Sequence, residues 1–218
     1  MINRAAELGP ARFSWWQDWR GECVAIVASG PSTSKAAVEG LRDRIHVIAI
    51  KQNVELAPWA EVVYGCDAPW WIWRKGLPDY GGIKITQARL AKSRYPNLVC
   101  VEVKHVDKLL VEEPGIIGSG GNSGFQAINL AVQFGATGIM LIGFDYHDKG
   151  GVHWYGRNQA QGMNNPGEVN FSRWRRALAA IVPELEARGI DVVNASNGSS
   201  ITCLRKRGID ETFRQWGL

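Results

Sequence analysis

Short apolar runs rich in valine and isoleucine alternate with helix-like stretches along nearly the whole chain. This constrains the fold more than any other feature. "CVAIVAS" at 23–29, "IHVIAI" at 45–50 and "AEVVYGCD" at 60–67 read as buried strands. "IKIT" at 83–86, "NLVCVEV" at 97–103, "GIMLIGF" at 138–144 and "IDVVNAS" at 190–196 continue the series. Helical patterns fall between them at 35–42, the tryptophan-rich 69–75, 124–134 and 170–188, the last stopped by Gly189, and a short helix closes the chain. Strands joined through helices return parallel, so the pattern predicts an α/β fold: a Rossmann-like, doubly wound, mostly parallel sheet with helices on both faces. The 218 residues suit one such domain. The expected division is an aromatic, partly helical lead-in over 1–20 and a single domain over 21–218. Within the latter, 147–168 ("HDKGGVHWYGRNQAQGMNNPGE") lacks apolar periodicity. A polar loop of about twenty residues inside a compact domain is characteristic of a lid or binding loop.

The net charge of +4 and pI near 8.9 permit an anionic ligand without demanding nucleic acid, although a nucleic-acid acceptor stays open. No apolar run approaches the ~18 residues of a membrane span, and the N-terminus lacks an apolar signal core, so a cytoplasmic protein is expected. The four cysteines (Cys23, Cys66, Cys100, Cys203) form no C-x-x-C pair and read as reduced thiols in or beside the core. Ten tryptophans are unusual, and two clusters stand out: Trp15, Trp16 and Trp19, then Trp70, Trp71 and Trp73. Such clusters fill a core or make a subunit contact, which leaves a homo-oligomer open; the second cluster could also line a cleft.

Ligands of open parallel sheets bind beyond the carboxyl ends of the strands. Small or polar groups stand at five such ends: Ser29-Gly30-Pro31-Ser32, Lys51-Gln52-Asn53, Asp67, Asp145 with His147, and Asn194 to Asn197. The first resembles a phosphate or ribose cradle, although a plain strand-to-helix turn with serine caps fits it equally. It is neither a P-loop nor G-x-G-x-x-G. "GSGGNSG" at 118–124 is stronger, because its glycines exceed what a helix cap needs and so point to close approach of a ligand. Asn122 or Ser123 would cap the helix that follows. Asp145, His147, Asp148 and His153 flank the polar loop. Ligand contact or proton transfer fits them better than a metal site. Arg173, Arg175 and Arg176 read as a solvated basic face, with a phosphate contact from one of them, or from Arg157, as the alternative.

"VAIVASGPS", "GNSGFQAINLAVQFGATGIMLIGFDY" and "VVNAS" together resemble the core of the glycosyltransferase family 42 sialyltransferases. They are also similar to the related domain of archaeal 6-hydroxymethylpterin diphosphokinases and flagellin-modifying motility accessory proteins, and to small phage and prophage proteins of this kind. The resemblance spans roughly 22–197. It implies a nucleotide or nucleotide sugar, of cytidine type, approached by Ser29, Gly30, Pro31, Ser32, Asn122, Ser123 and Gly124; with the strand-end residues Asn53, Asp67 and Asn194 these make up the expected nucleotide-binding set. Lys51 or Asn53 stands nearest the family's asparagine after the second strand. His147 and a position near His153 replace a pair of phosphate-binding tyrosines. Asp145 would orient the ligand, or hold a divalent cation if the diphosphokinase likeness is the closer one. His147 or His153 would stabilise the leaving phosphate or act as acid/base, which makes Asp145, His147 and His153 the candidate catalytic set. The family's general-base histidine before the long C-terminal helix has no counterpart here, so sialyl transfer does not carry over. The expectation is a glycosyltransferase-like, nucleotide-binding transferase of unknown acceptor. A non-catalytic nucleotide-binding or phage assembly protein, or a metal-dependent diphosphokinase-like enzyme, are the alternatives.

Overall fold

The computed structural model describes residues 2–218. In chain order the elements are helix α1 (Arg4–Arg12), strand β1 (Cys23–Val27), α2 (Lys35–Glu39), β2 (His46–Ile50) and a 3-10 turn (Lys51–Glu55). Then come β3 (Val62–Tyr64), α3 (Ala68–Trp73), β4 (Ile83–Thr86), α4 (Arg89–Arg94), β5 (Val99–Cys100), β6 (Glu102–Lys104) and β7 (Ile116–Gly118). The chain ends with α5 (Ser123–Gln133), β8 (Gly138–Ile142), α6 (Glu168–Ala187), β9 (Asp191–Asn194), β10 (Arg205–Lys206) and α7 (Ile209–Trp216).

Eight strands form one sheet in the order β10-β9-β8-β1-β2-β3-β4-β5, parallel at every pairing. This is the doubly wound α/β architecture. From β1 the chain winds one way to β5 and then returns to place β8 on the other flank of β1. The β1–β8 boundary is therefore the topological switch point, where connections diverge and leave a crevice at the carboxyl ends.

Alternating side chains of β1 show why the strands are apolar throughout. Val24 and Ile26 enter the core under α5 and α6, while Ala25 and Val27 enter the opposite core, which holds Val38, Trp70, Trp71 and Phe213. Helix α5 is buried on all sides, polar residues included. Its Asn129 Oδ1 accepts from the Leu110 and Gly118 amides at 3.0 and 2.9 Å, and its Nδ2 donates to the Leu110 carbonyl. Gln133 Nε2 donates to the carbonyls of Leu110, Glu113 and Ile116. These amides stand in for backbone partners that the 105–118 segment does not find in a sheet.

The expected strand at 97–103 is two strands. Val101 N donates to Thr86 in the main sheet, but Glu102 N donates to Gly115, so the chain changes partner and β6 pairs with β7 in a separate two-stranded sheet. Strands β7 and β10 and helix α4 had no expectation. The tryptophan clusters are largely core. Trp16 and Trp19 meet Phe134 edge-on at ring centroids of 5.0 Å, and Trp70 packs edge-on against Trp71. Trp73 is half exposed. No helix among the described residues is long and apolar enough to cross a membrane, and the four cysteines are free.

Candidate ligand cleft at the switch point

Two glycines set the geometry of the crevice. Gly143, just past β8, has φ +72, and a Cβ there would lie 2.2 Å from the Ala28 carbonyl and 2.0 Å from Thr33 Oγ1. Gly30, just past β1, donates its N–H to the Gly143 carbonyl at 2.9 Å; a Cβ on it would lie 1.9 Å from Asp145 Oδ2. The loops after β1 and β8 are thus interlocked backbone to backbone, and only glycine fits at either contact. Asp145 completes the lock. It is buried, and its Oδ2 accepts from the Ser32 hydroxyl at 2.9 Å and the Ser32 N–H at 3.3 Å. Burial raises its pKa, which the Ser32 bonds only partly offset.

Over these loops lies a cleft of about 340 Å³. Ser29, Gly30 and Asp145 form one wall, Asn122, Ser123 and Gly124 at the start of α5 another, and Lys51, Cys66 and Asp67 a third. His153, Asn158 and Met163 of the polar loop complete the lining. The expected glycine wall and Asp145/His153 wall therefore face one cavity.

The glycines of 118–124 have protein reasons. A Cβ at Gly118 would meet the Lys108 carbonyl at 2.1 Å, one at Gly120 the Phe125 ring at 1.9 Å, and one at Gly124 the Phe144 ring at 2.7 Å. Gly120 and Gly121 are also left-handed. Close packing within the chain, rather than approach of a ligand, accounts for the excess. Asn122 is the cap: its Oδ1 accepts from Phe125 N at 2.9 Å and from the Tyr146 hydroxyl at 3.3 Å. Ser123 Oγ accepts from Cys66 N at 3.3 Å and donates to Cys66 Sγ. Both side chains are thereby engaged. The Ser123 and Gly124 N–H groups are different: among the described residues neither has an acceptor, and both belong to residues that line the cleft.

Four expected ligand contacts lie elsewhere. Pro31 and Ser32 are not in the lining; Ser32 acts on Asp145 instead. Asn53 is fully buried, donating to the Ile50 carbonyl at 2.7 Å and accepting from Trp154 Nε1 at 2.9 Å, so it anchors the polar loop. Asn194 is buried too, with Nδ2 on Ser199 Oγ and Oδ1 accepting from Ser196 N, which shapes the loop after β9. Arg173 pairs with Asp107, and Arg175 binds Glu168 and the Tyr146 carbonyl; both charges are engaged within the protein and neither residue is in the cleft lining.

His147 and His153 line the cleft with both ring nitrogens of each engaged. His147 Nδ1 accepts from Lys149 N at 3.1 Å, which leaves the proton on Nε2 for the Gly198 carbonyl at 3.0 Å. For His153 the tautomer follows from Asn158. That amide donates from Nδ2 to the Asn164 carbonyl and accepts at Oδ1 from the Tyr155 hydroxyl, so Nδ2 faces His153 Nε2 as a donor at 3.2 Å. His153 therefore carries its proton on Nδ1 and donates it to Ser29 Oγ at 3.0 Å. Burial, aided by the Lys51 charge, lowers its pKa to about 4, so the ring is neutral at ordinary pH. Among the described residues no three His, Cys, Asp or Glu side chains gather into a metal-binding group, and the Asp145 carboxylate is already tied to Ser32. The residues present do not fit a resident divalent cation.

Of the two residues set beside the family's asparagine, Lys51 lines the cleft and Asn53 does not; Tyr146, which could stand in for a lost family tyrosine, lines it too, and sequence reasoning passed over Phe171 and Trp174, which also line it. Lys51 and Tyr146 are left-handed, with φ of +50 and +52, a conformation that no local residue pattern announces.

No family model matches the chain, and no curated protein matches it. Among solved structures it is similar to the sialyltransferase CstII from Campylobacter jejuni, studied in complex with the substrate analogue cytidine-5'-monophosphate. The TM-score is 0.54 at 11% identity, over 87% of this chain and 89% of that one. At that identity the likeness is one of fold, and it agrees with the fold that the sialyltransferase resemblance implies.

Proposed function

We propose that the chain binds a nucleotide of the cytidine monophosphate class in the switch-point cleft and belongs functionally with glycosyltransferase-like transferases. The observation that carries this reading is the placement of the cleft. It lies at the β1–β8 divergence, and the unpaired Ser123 and Gly124 amides of an eleven-residue helix belong to residues that line it. The sialyltransferase of like fold was studied with cytidine-5'-monophosphate, and that supports the choice of base.

In this reading the phosphate sits over the α5 N-terminus. Ser29, whose oxygen accepts from His153, keeps its own hydroxyl proton for a ligand oxygen. Asp145 acts as a positioning residue, holding the two loops through Ser32 and keeping its charge off the phosphate. Tyr146 and Trp174 offer apolar surface to a donor group.

The state of the histidines favours a second reading, nucleotide binding without transfer, since neither ring has a free basic nitrogen. One experiment addresses both. Thermal unfolding is followed with CMP, UMP, AMP and GMP, and hydrolysis is followed with a cytidine nucleotide sugar. Selective stabilisation by CMP is expected, about 2.7 kcal/mol at a hundred times its dissociation constant. No response to any nucleotide would sink the assignment. CMP binding without release of free nucleotide from the sugar donor would select the second reading.

A further inference from the structure

We propose that Lys51 is the phosphate-binding side chain of this cleft and that Asp67 is its built-in counter-ion, displaced when the ligand arrives. This rests on the nucleotide reading and specifies how the chain recognises the charged end of the ligand.

Lys51 is the only lysine or arginine among the described residues that line the cleft. It directly follows β2 with φ +50, a left-handed conformation that costs a non-glycine residue free energy and that persists where surrounding structure demands it. The consequence is directional. The chain turns into the 3-10 segment, and the lysine stem crosses Gly65, where a Cβ would lie 3.3 Å from Lys51 Cγ. The ammonium is delivered to the cleft beside Asp67, with Nζ 2.5 Å from Oδ2. Asp67 follows Cys66 in the chain, and His153 lines the same cleft from the polar loop. Cys66 is bonded in turn to Ser123, the first residue of α5. The cation and the unpaired amides of α5 thus converge on the same space.

Asp67 is the less committed partner. Its side chain is 43% exposed against 25% for Lys51, and a partly exposed pair contributes little net stability. A nucleotide monophosphate brings roughly two negative charges to the same ammonium and, unlike Asp67, also reaches the α5 amides. Asp67 therefore keeps Lys51 paired in the free protein and competes with the ligand. A carboxylate that instead bound the ribose would behave in the opposite way on mutation, which makes the two roles separable.

Calorimetric titration of CMP and of cytidine into the wild type, Lys51→Met and Asp67→Asn decides the matter, with the melting temperature of each free protein as a folding control. Lys51→Met is expected to weaken CMP about tenfold and leave cytidine unchanged, because only the charged bond is lost. Asp67→Asn is expected to tighten CMP roughly threefold. Equal CMP affinity in Lys51→Met and wild type, or weaker CMP binding in Asp67→Asn, overturns the proposal. If Asp67→Asn does not fold, the lysine variant decides alone. Failure of wild type to bind CMP would remove the nucleotide reading only, and inorganic pyrophosphate then serves as the probe. Stabilisation by pyrophosphate that Lys51→Met abolishes sustains the lysine assignment. An equal response of the two proteins, or none in either, ends it.

Discussion

His153 shows how one residue ties the chemistry of the cleft to the stability of the fold. In the folded chain its pKa is about 4, against 6.5 for a free imidazole, because burial and the Lys51 charge both oppose protonation. Above pH 6.5 neither state binds the proton, and the residue adds no pH dependence. As pH falls from 6.5 towards 4 the unfolded chain takes up a proton that the folded chain refuses, so stability declines through that window. The full effect is about 3 kcal/mol at 1.36 kcal/mol per unit of pKa. Asp145 works in the reverse sense: its raised pKa favours the folded state at low pH, and stability is lost as pH rises above its usual 3.8. The comparison must therefore be with His153→Gln, in which Asp145 is unchanged. Urea unfolding of both proteins between pH 4 and 7 should show the wild type losing about 3 kcal/mol more than the variant; parallel curves would mean that His153 is protonated in the fold. At this scale the sequence was only partly readable. Asp145 and His153 could be marked because ionisable groups at strand ends are conspicuous. The engagement of Asn53 with Trp154, 101 residues away, could not be seen from spacing, nor could the Gly30–Gly143 lock.

Among the elements, α5 has the most demanding position, and its polar residues are the reason it can hold it. A helix buried on every side exposes no face to water, so Gln126, Asn129 and Gln133 must all be satisfied by protein; Gln126 binds the Tyr64 hydroxyl, and the other two hold the 105–118 segment. Asn129→Leu would leave the Leu110 and Gly118 amides without partners and would take one of two donors from the Leu110 carbonyl, which keeps Gln133 Nε2. Each buried orphan costs about 1–3 kcal/mol, although local opening to water relieves part of it. A loss of about 2–4 kcal/mol is expected, with faster amide hydrogen exchange confined to 105–118 and β7. Uniform acceleration over the whole sheet would show instead that α5 itself had been displaced. The helix and strand β8 that follows it were evident from apolar runs bounded by glycine. Strands β6 and β7 were not, since the change of partner between Val101 and Glu102 depends on which segment lies nearby in space, and neither residue advertises it.

Across the whole molecule, the sheet presents one edge to the ligand and the polar loop covers that edge. The loop owes its position to long-range bonds: Trp154 N donates to the Ser29 carbonyl at 3.0 Å, Trp154 Nε1 to Asn53 Oδ1, and His153 to Ser29. It is therefore fastened to the ends of both β1 and β2, the strands on the long flank of the switch point. Trp154 does not line the cleft, so changing it alters the cover without touching the ligand. Trp154→Phe keeps the ring packing and removes one donor, leaving Asn53 Oδ1 buried and unpaired. The least costly relief is for the loop to lift and admit water, because the sheet beneath is held by its own parallel ladder. Trypsin reports such lifting directly, since Lys149 and the exposed Arg157 lie within the loop. Cleavage at those two sites should be several-fold faster in the variant, with the melting temperature of the uncut protein lowered by only a few degrees. CMP bound beneath the loop should slow cleavage in both proteins by bridging Ser29 and the α5 amides. If Trp154→Phe is cut no faster than wild type, the Asn53 anchor does not govern the loop; if it is cut faster but CMP gives no protection to either protein, the nucleotide does not lie under this cover.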